Sequence, residues 1–188
     1  MLTLVGAASV GGLTTATPAD ASPAAAGQYG PPPPPANPEP GFTTVVTSVT
    51  VCPAGGIVGP ATVDGASVKL IVPPGAFSTC VQITIFEGDL AVIRGAVFAG
   101  FTAITAIGVI ATLNGAEITG TFAKPLTLIV DDSGIAAASI ATTWNGVSLL
   151  PYPAATATAG EMQITFDTDP DFAVLTPASE EEPVPVTG

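Results

Sequence analysis

The sequence predicts an all-β domain, an antiparallel β-sandwich, and three observations predict it. From Phe42 to Thr176 short β-branched and apolar runs are cut every few residues by Gly, Pro, Asn or Asp, the pattern of sandwiches and barrels. Asp64-Gly65, Asn114-Gly115 and Asn145-Gly146 each sit between apolar runs, and these dipeptides tolerate the positive φ that tight hairpins require. The 188 residues include 21 glycines and 20 prolines, too many for long helices.

The strands expected in chain order are Thr43–Cys52, Gly56–Val63, Ser67–Val72, Val81–Glu87, Phe101–Leu113, Leu126–Val130, Ala138–Trp144, Met162–Asp167 and Phe172–Leu175. Their spacing leaves little room for helix. Only Ile135–Ile140 has enough alanine for one short helical turn. A single domain is therefore expected over residues 42–177, within the usual size range.

The flanks read as tails that stay disordered. Residues 1–21 are apolar to small and end in Ala19-Asp20-Ala21, an A-x-A cleavage pattern, so they are read as a signal peptide. A basic n-region is missing, which leaves an Ala/Thr-rich leader as the alternative. Residues 22–41 contain the run Pro31 to Pro35, which extends as polyproline II and makes a semi-rigid linker. Residues 178–188 form an acidic, proline-rich tail.

Charge and residue types narrow the function. Lys69, Arg94 and Lys124 are the only basic side chains against 15 acidic ones, a formal net charge of −12. Binding a phosphate backbone needs clustered Lys and Arg, so nucleic acid and anionic membrane surfaces are not expected partners. No run of about 18–20 strongly apolar residues follows the N-terminus, so no membrane span is expected there. Histidine is absent, which removes the usual general base and the commonest metal ligand. No enzyme activity and no cofactor are expected.

Cys52 ends the first expected strand and Cys80 opens the fourth. In an exported chain such a pair is best read as one disulfide, with two free buried thiols as the alternative. Two Cys without His do not complete a tetrahedral metal set.

Two stretches carry resemblances. Val184-Pro185-Val186-Thr187-Gly188 resembles the L-P-x-T-G sorting signal by which sortases couple Gram-positive surface proteins to the wall; Pro185, Thr187 and Gly188 match and Val184 replaces Leu. Gly55-Gly56-Ile57-Val58, then Val72-Pro73-Pro74-Gly75-Ala76 and Val81-Gln82-Ile83-Thr84-Ile85, resemble the opening of ZU-five domains. Trp144-Asn145-Gly146, Gly160 to Phe166 and Phe172-Ala173-Val174-Leu175 are similar to the later part of that family, so the likeness spans roughly residues 50–177. The resemblance implies a β-sandwich with an interaction or structural role. Some members cleave themselves at a His-Phe-Ser sequence near the last strand; here the corresponding segment reads Asp167-Thr168-Asp169-Pro170-Asp171-Phe172-Ala173, with neither the His nor the Ser, so autoproteolysis is not implied.

Asp167, Asp169 and Asp171 have the alternating spacing of calcium loops. Pro170 stiffens that segment and Phe172 stands where the sharp-turn Gly belongs, so a solvated acidic connection is the competing reading. Asp131-Asp132 before Ser133-Gly134 reads as a turn. Glu87, Asp89, Glu117 and Glu161 are the carboxylates a glycosidase pair would draw on, but sugar platforms are scarce. Trp144 and Tyr152 are the aromatics available to stack on a sugar, against core packing for Trp144.

Together these readings lead to a secreted or cell-wall-associated, non-catalytic surface protein with a structural or adhesion role. Its expected partners are a protein or glycan surface, with sortase and the cell wall if the terminal signal operates. A carbohydrate- or calcium-dependent binding module is the alternative.

Overall fold

The computed structural model describes residues 40–178. The expected leader, most of the linker and the expected sorting signal lie outside the described residues. Within them the elements run β1 (Thr44–Val51), β2 (Gly56–Val63), β3 (Ala66–Val72), β4 (Val81–Glu87), α1 (Leu90–Arg94), β5 (Phe101–Leu113) and β6 (Ala116–Glu117). They continue as β7 (Leu126–Asp131), β8 (Ile140–Trp144), β9 (Leu149–Pro151), β10 (Ala155–Thr158), β11 (Glu161–Phe166) and β12 (Asp171–Pro177).

The strands build two antiparallel sheets, the expected fold class. One has the order β1-β4-β5-β12-β8-β9, with β6 added beside β5; the other is β10-β11-β7-β3-β2. Asp64 (φ 51°) and Gly65 (φ 89°) close the β2–β3 hairpin, where Val63 faces Ala66. Asn114 (φ 53°) and Gly115 (φ 81°) do the same between Leu113 and Ala116. Both are two-residue turns whose positive φ matches strand twist. Asn145-Gly146 instead begins a longer loop before Leu149, in which Asn145 Oδ1 accepts from the backbone N–H of Val147 (3.1 Å) and Ser148 (2.8 Å).

The main core lies between the sheets. Val68, Leu70, Leu128, Val130, Met162 and Ile164 of the smaller sheet pack in one cluster with Ile83, Ile85, Ile107, Val109, Phe172 and Val174 of the larger. A second core covers the outer face of the larger sheet, where Phe86, Ala106, Ile110, Ala173 and Leu175 are buried with Phe42, Ile93, Trp144 and Leu149. The centre of that sheet is thus buried on both faces. This explains why β5 and β12 read as near-continuous apolar runs rather than alternating ones.

Phe42 seats the beginning of the domain. Its ring is fully buried, and a Cβ placed on Gly88 or Gly108 would come within 2.7 Å and 3.1 Å of it. Trp144, 7% exposed, donates its indole N–H to the Pro40 carbonyl at 3.0 Å, so the two aromatics fasten residues 40–42 to the sandwich.

The helix was not expected where it forms. Asp89 accepts from Ala91 N–H at 2.8 Å as an N-cap, and Ile93 anchors this short helix on the second core. The helical turn expected over Ile135–Ile140 is a correction. Ser139 N–H bonds to the Ala136 carbonyl (2.9 Å), but the Ser139 hydroxyl accepts from Ala136 N–H and donates to Thr176 Oγ1. Thr176 in turn donates to the Gly134 carbonyl, so side chains hold this loop in turns against β12.

The Cys52–Cys80 disulfide is present, S–S 2.06 Å, bridging residues 28 positions apart just beyond the last β1–β4 pair, Val51 and Val81. The closed loop contains the whole β2–β3 hairpin, which belongs to the other sheet. Closing a loop of this length removes about 3–4 kcal/mol of chain entropy from the unfolded state.

Candidate functional sites at the two ends of the sandwich

Strand β4 runs between two contrasting hollows, roughly 20 Å apart by strand rise. At its start lies an apolar one, and at its end an acidic one.

The apolar end is shaped by the Pro73-Pro74-Gly75 turn. Ala76 N–H donates to the Pro73 carbonyl at 3.2 Å, with Pro74 and Gly75 (φ 80°) at the two central positions. This is a type II turn: proline pre-sets the first central residue and glycine supplies the positive φ of the second. Gly75 N–H also donates to the Pro53 carbonyl (2.8 Å), and Lys124 Nζ to the Pro74 carbonyl (2.6 Å). Gly55 (φ 74°) lies directly beneath. A Cβ there would collide with the Val72 carbonyl oxygen and stand 2.8 Å from Pro73 and Pro74 backbone atoms. Gly55 and the Pro73-Pro74-Gly75 turn, two pieces of the resemblance, are therefore in mutual contact close to the disulfide.

Beyond this turn a cavity of about 280 Å³ opens between residues 76–81 and 118–123. Phe77 and Phe122 meet edge to face at 5.0 Å in its wall, with Val81 and Ile118 beside them and the Ser78 and Thr121 hydroxyls at hand. No charged side chain lines it. Such a hollow suits a small uncharged apolar group.

The acidic end is a cleft of about 370 Å³ lined by Asp64, Glu87 and Asp89. Asp64 Oδ2 accepts from Ala106 N–H at 3.1 Å. Burial raises the Asp64 carboxyl above its ordinary range and Glu87 adds to this, while the Ala106 bond and Arg94 pull the other way. Glu87 and Asp89, two of the four carboxylates considered for hydrolysis, do share this cleft. Glu117 lies on β6 and Glu161 on the opposite sheet, where it accepts from Gln163. Asp64 was read only as a turn residue. Its role in the cleft arises because the end of β2 meets the end of β4, which no local spacing encodes.

The Asp167, Asp169 and Asp171 series does not converge. Asp167 is exposed, and among the described residues no group of three or more acidic or thiol side chains is placed to hold a metal ion. Asp169 has a structural task instead. On one side of β5, β12 pairs as far as Gly108 and β6 pairs only at Thr112 and Leu113. The gap is closed by the Pro170 carbonyl, which accepts from Val109 N–H (3.3 Å), and by Asp169 Oδ2, which accepts from Ala111 N–H (3.1 Å). Asp169 Oδ1 is buried without a hydrogen-bond partner. Burial pushes this carboxyl up to about 7, with Glu117 and Asp171 adding to the effect and the Ala111 bond opposing it. Asp171 is itself buried over Gly108.

Asp132 Oδ1 accepts from Gly134 N–H (2.6 Å), so Asp131-Asp132-Ser133-Gly134 is the expected turn. Trp144 lies in the second core. Tyr152 packs on the first, edge to face with Phe172 at 5.2 Å, and donates its hydroxyl to the Thr165 carbonyl. The two aromatics therefore form no shared platform. Lys69, Arg94 and Lys124 lie on β3, on α1 and in the loop before β7, so no basic patch arises.

No protein-family model matches the chain, and no curated protein is significantly similar to it.

Proposed function

We propose that the protein is a secreted or cell-wall-associated, non-catalytic surface protein whose ZU-five-like sandwich serves a structural or adhesive role. The observation that carries the reading is the Cys52–Cys80 bridge, because disulfides persist in oxidising compartments and are rare in the cytosol. It is supported on the two sides of the domain by Ala19-Asp20-Ala21 and by Val184-Pro185-Val186-Thr187-Gly188. Among the described residues no helix is long and apolar enough to cross a membrane. The ZU-five likeness rests on the Pro73-Pro74-Gly75 turn seated on Gly55. The absence of histidine from the chain supports the non-catalytic part, since Ser-His-Asp and Cys-His arrangements cannot be built without that base.

The test is to express the gene with its natural flanking sequence in a Gram-positive host, fractionate the cells and block free thiols before a non-reducing mass measurement. Protein in the wall or medium with both thiols oxidised is the expected result. Cytoplasmic protein with two free thiols overturns the proposal. A melting temperature raised by glycans or by calcium would move the reading to the binding-module alternative.

A further inference from the structure

The two sheets have four edges, and three of them are blunted. β2 contains Pro60 at a register shift between Val58 and Ala61, β9 has three residues and ends at Pro151, and β10 has four residues behind Pro153. Short edges and prolines are the usual devices against edge-to-edge pairing. β1 differs: its eight residues, Thr-Val-Val-Thr-Ser-Val-Thr-Val, contain no proline, glycine or charge, and all but Ser48 are β-branched. It pairs with β4 alone, and among the described residues no backbone hydrogen bond is made from its other side. A shift between Val45 and Thr47 interrupts the ladder, so the regular part is Thr47–Val51.

We infer that this edge pairs with the same edge of a second copy, antiparallel about a two-fold axis at Val49, joining the two larger sheets. Backbone N–H and C=O groups repeating along an edge are met in full only by another extended chain. The side chains select a second copy. Centred on Val49, the pairing sets Val49 against Val49, Ser48 against Thr50 and Thr47 against Val51. Hydroxyls thereby meet hydroxyls on the outer face, where Ser48 already bonds Thr84 (2.8 Å) and Gln82 (2.9 Å). On the inner face, Val49, 37% exposed, gains cover from its own counterpart. The seam is uncharged, so the acidity of the chain is kept away from it, and it makes about four to six backbone hydrogen bonds. Such an interface is isologous and closes at two copies. The inference stands independently of where the protein is located.

The test is sedimentation equilibrium of the full chain from micromolar to near-millimolar concentration. The expected result is twice the 18.4 kDa chain mass at the upper end. Val49→Lys sets two like charges directly opposite each other and is expected to leave only monomer. Should that variant fail to fold, Thr50→Lys, at an exposed position, places its two lysines diagonally about 7–8 Å apart and is expected to weaken association at least tenfold. Val147→Lys, at a site 81% exposed and away from β1, should associate as the parent does. A parent chain that stays monomeric throughout overturns the inference, and so does a dimer that persists unchanged in Val49→Lys or Thr50→Lys.

Discussion

Replacing Asp169 with asparagine removes a charge from the gap between β6 and β12 and keeps an oxygen to accept from Ala111 N–H. In the folded protein this carboxyl titrates at about 7, against 3.8 for an ordinary aspartate. A folded-state pKa above the unfolded one means that the native state holds the proton more tightly. The associated stability is therefore complete below about pH 4 and is lost as pH rises through 7. A shift of about three pH units corresponds to at most about 4 kcal/mol, and partial solvation of the site brings the expected loss to about 2–4 kcal/mol.

Thermal and denaturant unfolding between pH 4 and 9 reads this out. The parent protein should lose stability across that window. Asp169→Asn should lose much less, keeping a residual slope of the same sign from Asp64, whose carboxyl is also raised. At pH 8 the variant should melt higher by roughly 7–14 °C, taking about 3–4 °C per kcal/mol for a domain of this size. At pH 4 the two should agree to within about 1 kcal/mol. Parallel curves for parent and variant, or a variant less stable at pH 8, would refute the reasoning, because the buried Oδ1 would then not be an isolated charge.

Reducing the disulfide, or replacing both cysteines by serine, should cost about 3–4 kcal/mol in denaturant unfolding, with a difference under 1 kcal/mol counting against the loop-entropy account. Gly55→Ala forces a Cβ into the backbone of the Pro73-Pro74 turn and should destabilise by more than 2 kcal/mol, whereas Gly65→Ala, at a similar φ with nothing within 4 Å of its Cβ, should cost clearly less. Phe42→Ala empties the space over Gly88 and Gly108 and should cost about 3–5 kcal/mol by chemical denaturation. Trp144→Phe keeps most of the second core but loses the bond to Pro40, so it should cost about 1–2 kcal/mol and speed amide exchange near Gly41.

Much of the fold was legible in the residues. Gly56–Val63, Val81–Glu87 and Phe101–Leu113 are strands within their expected bounds, because Gly, Pro and Asn-Gly interrupt the β-branched runs sharply. β6, β9 and β10 have only two to four residues, too few to show a period. Helix α1 rests on one cap and one buried isoleucine, a signal short enough to pass for a loop. The acids were less legible than the strands. Asp64 and Glu87 approach through sheet order, and the Oδ1 atom of Asp169 is buried because two strands stop short of each other along β5. Neither fact leaves a trace in sequence spacing.

The bridge also decides how the domain carries mechanical load. Tension applied at Phe42 would peel β1 from β4 until it reached Cys52, and there it would pass covalently to Cys80. The segment between them, about 90–100 Å of contour when extended, is withheld from stretching. The β2–β3 hairpin thus bears no axial force, and with it the Pro73-Pro74-Gly75 turn and Gly55 keep their shape while the strand ahead of them is pulled away.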